Sequence, residues 1–100
     1  MYATIRTYDQ PALADALASR RKDVEQLIRN VRGVVGYYLV KTSTGCISVT
    51  VCDSQAGTDE STKAAADWIK QNLPNFANAT PKIASGDVVA TVSTSATAKV

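Results

Sequence analysis

The sequence predicts one α+β domain with the element order strand, helix, strand, strand, helix, strand. Three observations carry that prediction. The chain has 100 residues, the size of a single domain. Its strand-like segments are short and rich in β-branched and aromatic residues. Between them lie two stretches whose apolar residues return at three- and four-residue steps. The order is the ferredoxin-like split βαβ pattern, βαββαβ, in which right-handed crossovers lay two helices on one face of a four-stranded antiparallel sheet.

The first strand is expected over Tyr2–Tyr8, with Tyr2, Thr4, Arg6 and Tyr8 on one face. Asp9 offers a helix N-cap and Pro11 suits the first turn. The first helix is expected from Gln10 to Arg32, its stripe formed by Leu13, Leu17, Val24, Leu27, Ile28 and Val31. Gly33 stops it.

Val34–Lys41, the turn Thr42–Gly45 and Cys46–Cys52 then read as a hairpin. Pairing Val40 with Ser48, Tyr38 with Thr50 and Gly36 with Cys52 puts Tyr37, Leu39, Ile47, Val49 and Val51 on one face, under the helices. Thr58 is the expected N-cap of a second helix that runs to Asn72, with Ala65, Trp68, Ile69 and Leu73 inward and Pro74 after its end. Asp87–Val92 reads as the fourth strand. Residues 1–92 are expected to form the domain and residues 93–100 a flexible C-terminal tail.

The opposite sheet face would carry Val34, Tyr38, Val40 and part of Val88–Val92. A strand apolar on both sides needs cover on both sides, and one subunit has no second layer to supply it. A two-fold homodimer packed sheet against sheet is therefore expected, with Tyr38, Val40 and Val34 as candidate interface residues.

Composition narrows the function. The chain has no histidine, which removes the commonest general base, metal ligand and haem ligand. Its net charge is only +2, and the one basic cluster, Arg20-Arg21-Lys22, is diluted at once by Asp23 and Glu25. No nucleic-acid partner is expected. No segment has the ~20 apolar residues that span a bilayer, and no signal-like stretch precedes the first strand, so neither a membrane nor secretion is expected and the default location is the cytoplasm. Cys46 and Cys52 sit on one strand about 20 Å apart at ~3.3 Å per residue, beyond the ~7 Å that a disulfide allows. They are not spaced as a metal site, and no metal or cofactor is expected.

The run Gly33-Val34-Val35-Gly36-Tyr37-Tyr38-Leu39-Val40, followed by Ile47-Ser48-Val49-Thr50-Val51, resembles the dimeric α/β barrel superfamily, best known for small antibiotic-biosynthesis-type monooxygenases. The string Cys52-Asp53-Ser54-Gln55-Ala56-Gly57-Thr58-Asp59-Glu60-Ser61, then Ala66-Asp67-Trp68-Ile69, is similar to an uncharacterised bacterial group within it. The resemblance covers Tyr2–Val92. It implies a homodimer with a cavity between sheet and helices in each subunit. Members include oxygenases of phenolic polyketides, haem-degrading enzymes, decarboxylases and regulatory ligand-binding domains. The haem-degrading branch uses a histidine ligand, which this chain lacks.

Tyr37, Trp68 and Arg6 are the candidate cavity residues. Trp68 can stack on an aromatic ligand or serve simply as a core anchor. Tyr37 can hydrogen-bond a ligand or fill the core. Arg6 can hold a carboxylate or enolate, or pair with Asp53 or Asp87; the structural pair is the favoured reading. The reading that follows is a homodimeric ligand-binding or structural module without catalytic activity, with a small aromatic molecule as its ligand. The alternative is a cofactor-independent monooxygenase-like enzyme acting on a small phenolic or enolisable substrate. The space near Tyr37 and Trp68 separates them, because a ligand site needs several hundred Å³.

Overall fold

The computed structural model describes residues 1–92. Its elements are β1 (Tyr2–Tyr8), α1 (Pro11–Ser19), α2 (Arg21–Arg29), β2 (Val34–Lys41), β3 (Cys46–Cys52), α3 (Gln55–Asn72), a 3-10 turn at Pro74–Phe76 and β4 (Lys82–Asp87). The four strands form one antiparallel sheet in the order β2-β3-β1-β4. This is the ferredoxin-like arrangement. The expected tail over residues 93–100 lies outside the described residues.

The stretch expected to be one helix is two. Ser19 turns its hydroxyl back onto the Ala16 carbonyl (2.8 Å), a bond that competes with helix continuation. Arg20 leaves helical geometry at φ −112°, ψ 26°. Its side chain pairs with Asp23 at 2.8 Å and lies 5.2 Å over the Trp68 ring. Leu13, Ala14 and Leu17 on α1, with Val24 and Ile28 on α2, still form the continuous buried stripe that the spacing predicts. Gln10 precedes the helix in place of Asp9, and Pro11 takes its first turn. Gly33 then reverses the chain at φ +85°, a conformation that side chains with a Cβ resist.

The hairpin register differs by one residue from the expected one. A four-residue turn, closed by Thr42 N–H donating to Gly45 O at 2.9 Å, sets Lys41 opposite Cys46. Val40 therefore faces Ile47, Tyr38 faces Val49 and Gly36 faces Val51. A one-residue slip exchanges the two faces of a strand. Ile47, Val49 and Val51 thus lie on the open face, and the helix-covered face of β3 carries Cys46, Ser48, Thr50 and Cys52, all buried. A bulge at Val35 sets Val34 opposite Cys52, so Val34 shares the helix side and leaves the face of Tyr38 and Val40.

The fourth strand is Lys82–Asp87 and not Asp87–Val92. β1 begins at Tyr2, opposite Asp87, so a strand centred on Val88–Val92 would overshoot its partner. A Thr4–Ser85 hydroxyl bond of 2.8 Å pins the observed register. α3 starts after Ser54, one turn before the expected cap, and Thr58 is buried inside it with its hydroxyl donating to Gln55 O at 2.8 Å.

The result is a sheet with unusual sides. Under the helices the central strands present Thr4, Arg6, Ser48 and Thr50. The open face presents Ile5, Ile47, Val49, Val51, Tyr38 and Val40. Tyr38 is 68% exposed, Val40 49% and Ile5 40%. The apolar core sits toward one end, where Tyr8, Leu13, Leu17, Val24, Cys46 and Ile69 pack together. Gly45 closes that end. A Cβ there would fall on the Tyr8 carbonyl and within 2.8 Å of the Gln10 nitrogen. Gly45→Ala is expected to cost about 1–3 kcal/mol by overpacking, read as a lower urea midpoint with unchanged slope.

Candidate functional site

Arg6 is the centre of the site. Strand alternation on β1 sends it to the helix side between Thr4 and Tyr8, and it is 1% exposed. Its Nε donates to Ser48 Oγ at 2.9 Å and Nη2 to Thr50 Oγ1 at 2.7 Å, both on β3. Nη1 donates to Ser61 Oγ at 3.2 Å and Thr62 Oγ1 at 2.8 Å, both on α3. The Ser61 hydroxyl donates in turn to Thr58 O at 2.7 Å. All four acceptors are neutral hydroxyls. The expected pairing with Asp53 or Asp87 is not what the fold builds: among the described residues no carboxylate pairs with Arg6, because the helix-side register surrounds it with Ser and Thr. A buried ion costs several kcal/mol after relaxation. Four bonds to a charged group, about 1.5–3 kcal/mol each, offset that cost.

Arg6, Tyr37 and Trp68 border one cavity between the sheet and the helices, together with Tyr8, Ser48 and apolar side chains such as Leu17 and Ile69. The cavity measures about 20 Å³, room for one water. Trp68 borders it, and Arg20 lies 5.2 Å over the Trp68 ring. Val24, Tyr37 and Leu39 separate it from an open groove of about 350 Å³ that reaches Arg21, Glu25 and Lys41. Tyr37 is therefore shared by a water-sized space and a ligand-sized one.

Burial sets the protonation states. It pushes the Tyr37 phenol up to about 12, against the pull of Arg6. It raises Tyr8 in the same way and lowers the Arg6 guanidinium from its ordinary value. Both cysteine thiols are raised, Cys46 by burial and Cys52 by burial with Asp53 and Glu60 adding to it. Both are free. A disulfide reagent at pH 8 should react slowly with the folded protein and rapidly with two thiols once urea unfolds it; fast native labelling would contradict the buried placement.

The sequence reading placed Tyr37 and Trp68 toward one cavity and named Arg6 beside them. It missed the hydroxyl cradle. The signal was present: Cys46, Ser48, Thr50 and Cys52 alternate with Ile47, Val49 and Val51, and the polar set shares a face with Arg6 once the turn fixes the register. Tyr38 and Val40 lie on the open face, away from this cavity. Among the described residues no cluster of three metal-ligating side chains occurs, and no helix is long and apolar enough to cross a membrane.

No family profile and no curated protein matches the chain. Solved structures do. The haem-degrader MhuD of Mycobacterium tuberculosis, solved with two haems in its active site, is 20% identical with a TM-score of 0.67 over 93% of this chain and 100% of its own. A candidate antibiotic biosynthesis monooxygenase from Nitrosomonas europaea is 15% identical, TM-score 0.67, over 90% of this chain and 100% of its own. A dimeric ferredoxin-like protein from an uncultured marine organism is 15% identical, TM-score 0.60, over 91% and 94%. The chain has the ferredoxin-like α+β fold of these antibiotic-biosynthesis-monooxygenase-like proteins.

Proposed function

We propose that this protein is a homodimeric ligand-binding module that takes a small aromatic molecule beside Tyr37 and does not turn it over. The observation that carries the reading is the division of space. Arg6, Tyr37 and Trp68 border a space of only about 20 Å³, and the ligand-sized volume of about 350 Å³ lies across Tyr37 from it. The two phenols that border this space, Tyr8 and Tyr37, are held protonated by burial. A general base poised near neutral pH is what acid–base catalysis needs, and none borders it. The apolar open face, with Tyr38, Val40 and Ile5, supports a second copy as its cover. The dimeric fold of the marine protein points the same way.

Haem does not fit these residues. The chain offers no imidazole, the two tyrosines nearest Arg6 are kept neutral, and the cavity is far below the size of a porphyrin. One observation favours the second reading, a cofactor-independent oxygenase of a phenolic or enolisable substrate: Arg6 is a buried cation able to stabilise an enolate if α2 and α3 part. A thermal-shift panel of phenols, aromatic acids, flavins and haem, run beside an oxygen electrode, separates the two. The module reading expects an aromatic ligand to raise the melting temperature, Tyr37→Ala to abolish that rise, and no oxygen uptake. Oxygen uptake lost in Trp68→Phe would establish the enzyme instead, and a flat panel would remove the ligand.

A further inference from the structure

We propose that the second copy lies on the open face turned about a two-fold axis parallel to the strands, so that Tyr38 and Val40 of each subunit pack over the β4 edge of the other, at Ala84 and Gly86. The inference rests on the homodimer proposed above and goes beyond it, because it fixes which edge meets which.

The registers align the four strands in rows across this face. Residues directly opposite in an antiparallel pair stand on the same side of the sheet. One row runs Tyr38, Val49, Ile5 and Ala84. On one side of it a row runs from Val40 to Lys82, and on the other a row runs from Gly36 to Gly86. The face is therefore a wedge. It is thick at the β2 edge, where Tyr38 and Val40 stand exposed, and thin at the β4 edge, where Ala84 and Gly86 offer a methyl group or nothing. A Cβ added at Gly86 would meet nothing within 4 Å, so the space above the thin edge is open.

Two such wedges fill the layer between them in one way. Facing sheets pack about 10 Å apart, at a density that leaves few voids. An axis across the strands sets β2 on β2, with Tyr38 against Tyr38 and a gap between the two β4 edges. An axis along the strands sets each thick edge on the partner's thin one. Charge and area fit a second copy as the occupant. Lys82 is the single charge in the three rows, and it stands at a corner from which its ammonium reaches water. The face thus complements an uncharged apolar surface, which its own copy presents. Four strands about 4.8 Å apart and of this length give a plan area on the order of 400 Å². Projecting side chains raise the accessible area toward the ~800 Å² that each partner gives to a standard interface. Tyr38 also lines the groove beside Tyr37, so in this arrangement the partner's β4 borders the groove.

A size exchange tests the arrangement. Tyr38→Ala and Ala84→Tyr are made singly and together, and the dimer dissociation constant of each protein is measured by sedimentation equilibrium. Both positions are exposed, and three strand spacings, about 14 Å, separate them within one subunit, too far to couple there. Tyr38→Ala empties the layer and Ala84→Tyr crowds it, so each alone should weaken the dimer roughly tenfold. The double variant restores one ring to each contact and should dimerise to within roughly threefold of wild type. Losses that add in the double variant, or single variants that dimerise as wild type does, would overturn the arrangement while the dimer itself stands. A wild-type chain that is monomeric at micromolar concentration would overturn the dimer and the arrangement together.

Discussion

Arg6→Ala is expected to lower the unfolding free energy by about 3–5 kcal/mol, whereas Arg6→Met should stay within about 2 kcal/mol of wild type. Alanine removes the guanidinium and most of its stem together. The hydroxyls of Ser48, Thr50, Ser61 and Thr62 lose their shared donor, and the existing cavity of about 20 Å³ widens into the vacated volume. Each hydroxyl left without a partner costs about 1–3 kcal/mol, but Ser61 already donates to Thr58 O and keeps one bond. Methionine fills much of the same space and removes the buried charge along with its desolvation cost. Replacing a buried ion pair by apolar side chains of similar volume is often neutral or stabilising, and the partners left behind here are uncharged hydroxyls. Urea unfolding of the three proteins measures the difference. Equal losses for both substitutions would show that the hydrogen bonds of Arg6, and not its volume, hold α3 to the sheet.

Tyr38→Asp should convert the proposed dimer to a monomer or an aggregate while changing the stability of a lone subunit by less than about 0.5 kcal/mol. On a free surface a residue 68% exposed tolerates a charge. Under a second sheet the same carboxylate would be buried against Val40 and Ile5 without a partner, at a cost of several kcal/mol. Each 1.4 kcal/mol weakens association about tenfold, so the shift in assembly is large even though the fold survives. Lys22→Asp, an exposed change on α2, serves as the control and should leave the mass unchanged. A Tyr38→Asp protein that elutes and melts as wild type would mean that the open face is not the interface.

Element order and helix stripes were legible because they depend on local spacing. Leu13, Leu17, Val24 and Ile28 are buried where the 3.6-residue period puts them. The faces of β2 carrying Tyr37 and Tyr38 also follow from alternation alone. Register did not follow. Thr42–Gly45 admits neighbouring alignments that differ by one residue, and only the closed four-residue turn decides that Val40 meets Ile47. That slip moved Ile47, Val49 and Val51 to the open face and left Ser48 and Thr50 beneath the helices. β4 was misplaced for a related reason. Val88–Val92 has the stronger strand composition, but Lys82–Asp87 has the partner, since β1 begins opposite Asp87. The break at Arg20 was hidden because a helix stripe continues across it, and the contact Arg20 makes there, over the Trp68 ring, joins residues 48 positions apart.

The cradle was hidden for a third reason. A lone arginine on a strand is usually read as seeking a carboxylate, and here it is met by hydroxyls from two different elements, β3 and α3. Ser61 and Thr62 read locally as ordinary helix residues. Their role appears only when the helix crosses β1 at Arg6.

The mass of the unaltered chain in dilute solution tests the proposal most directly, because a second copy is proposed to cover the apolar outside of a sheet that is polar beneath its helices. Sedimentation equilibrium at micromolar concentration should give one species at twice the chain mass of 10.6 kDa. A stable, well-folded monomer of 10.6 kDa would contradict it.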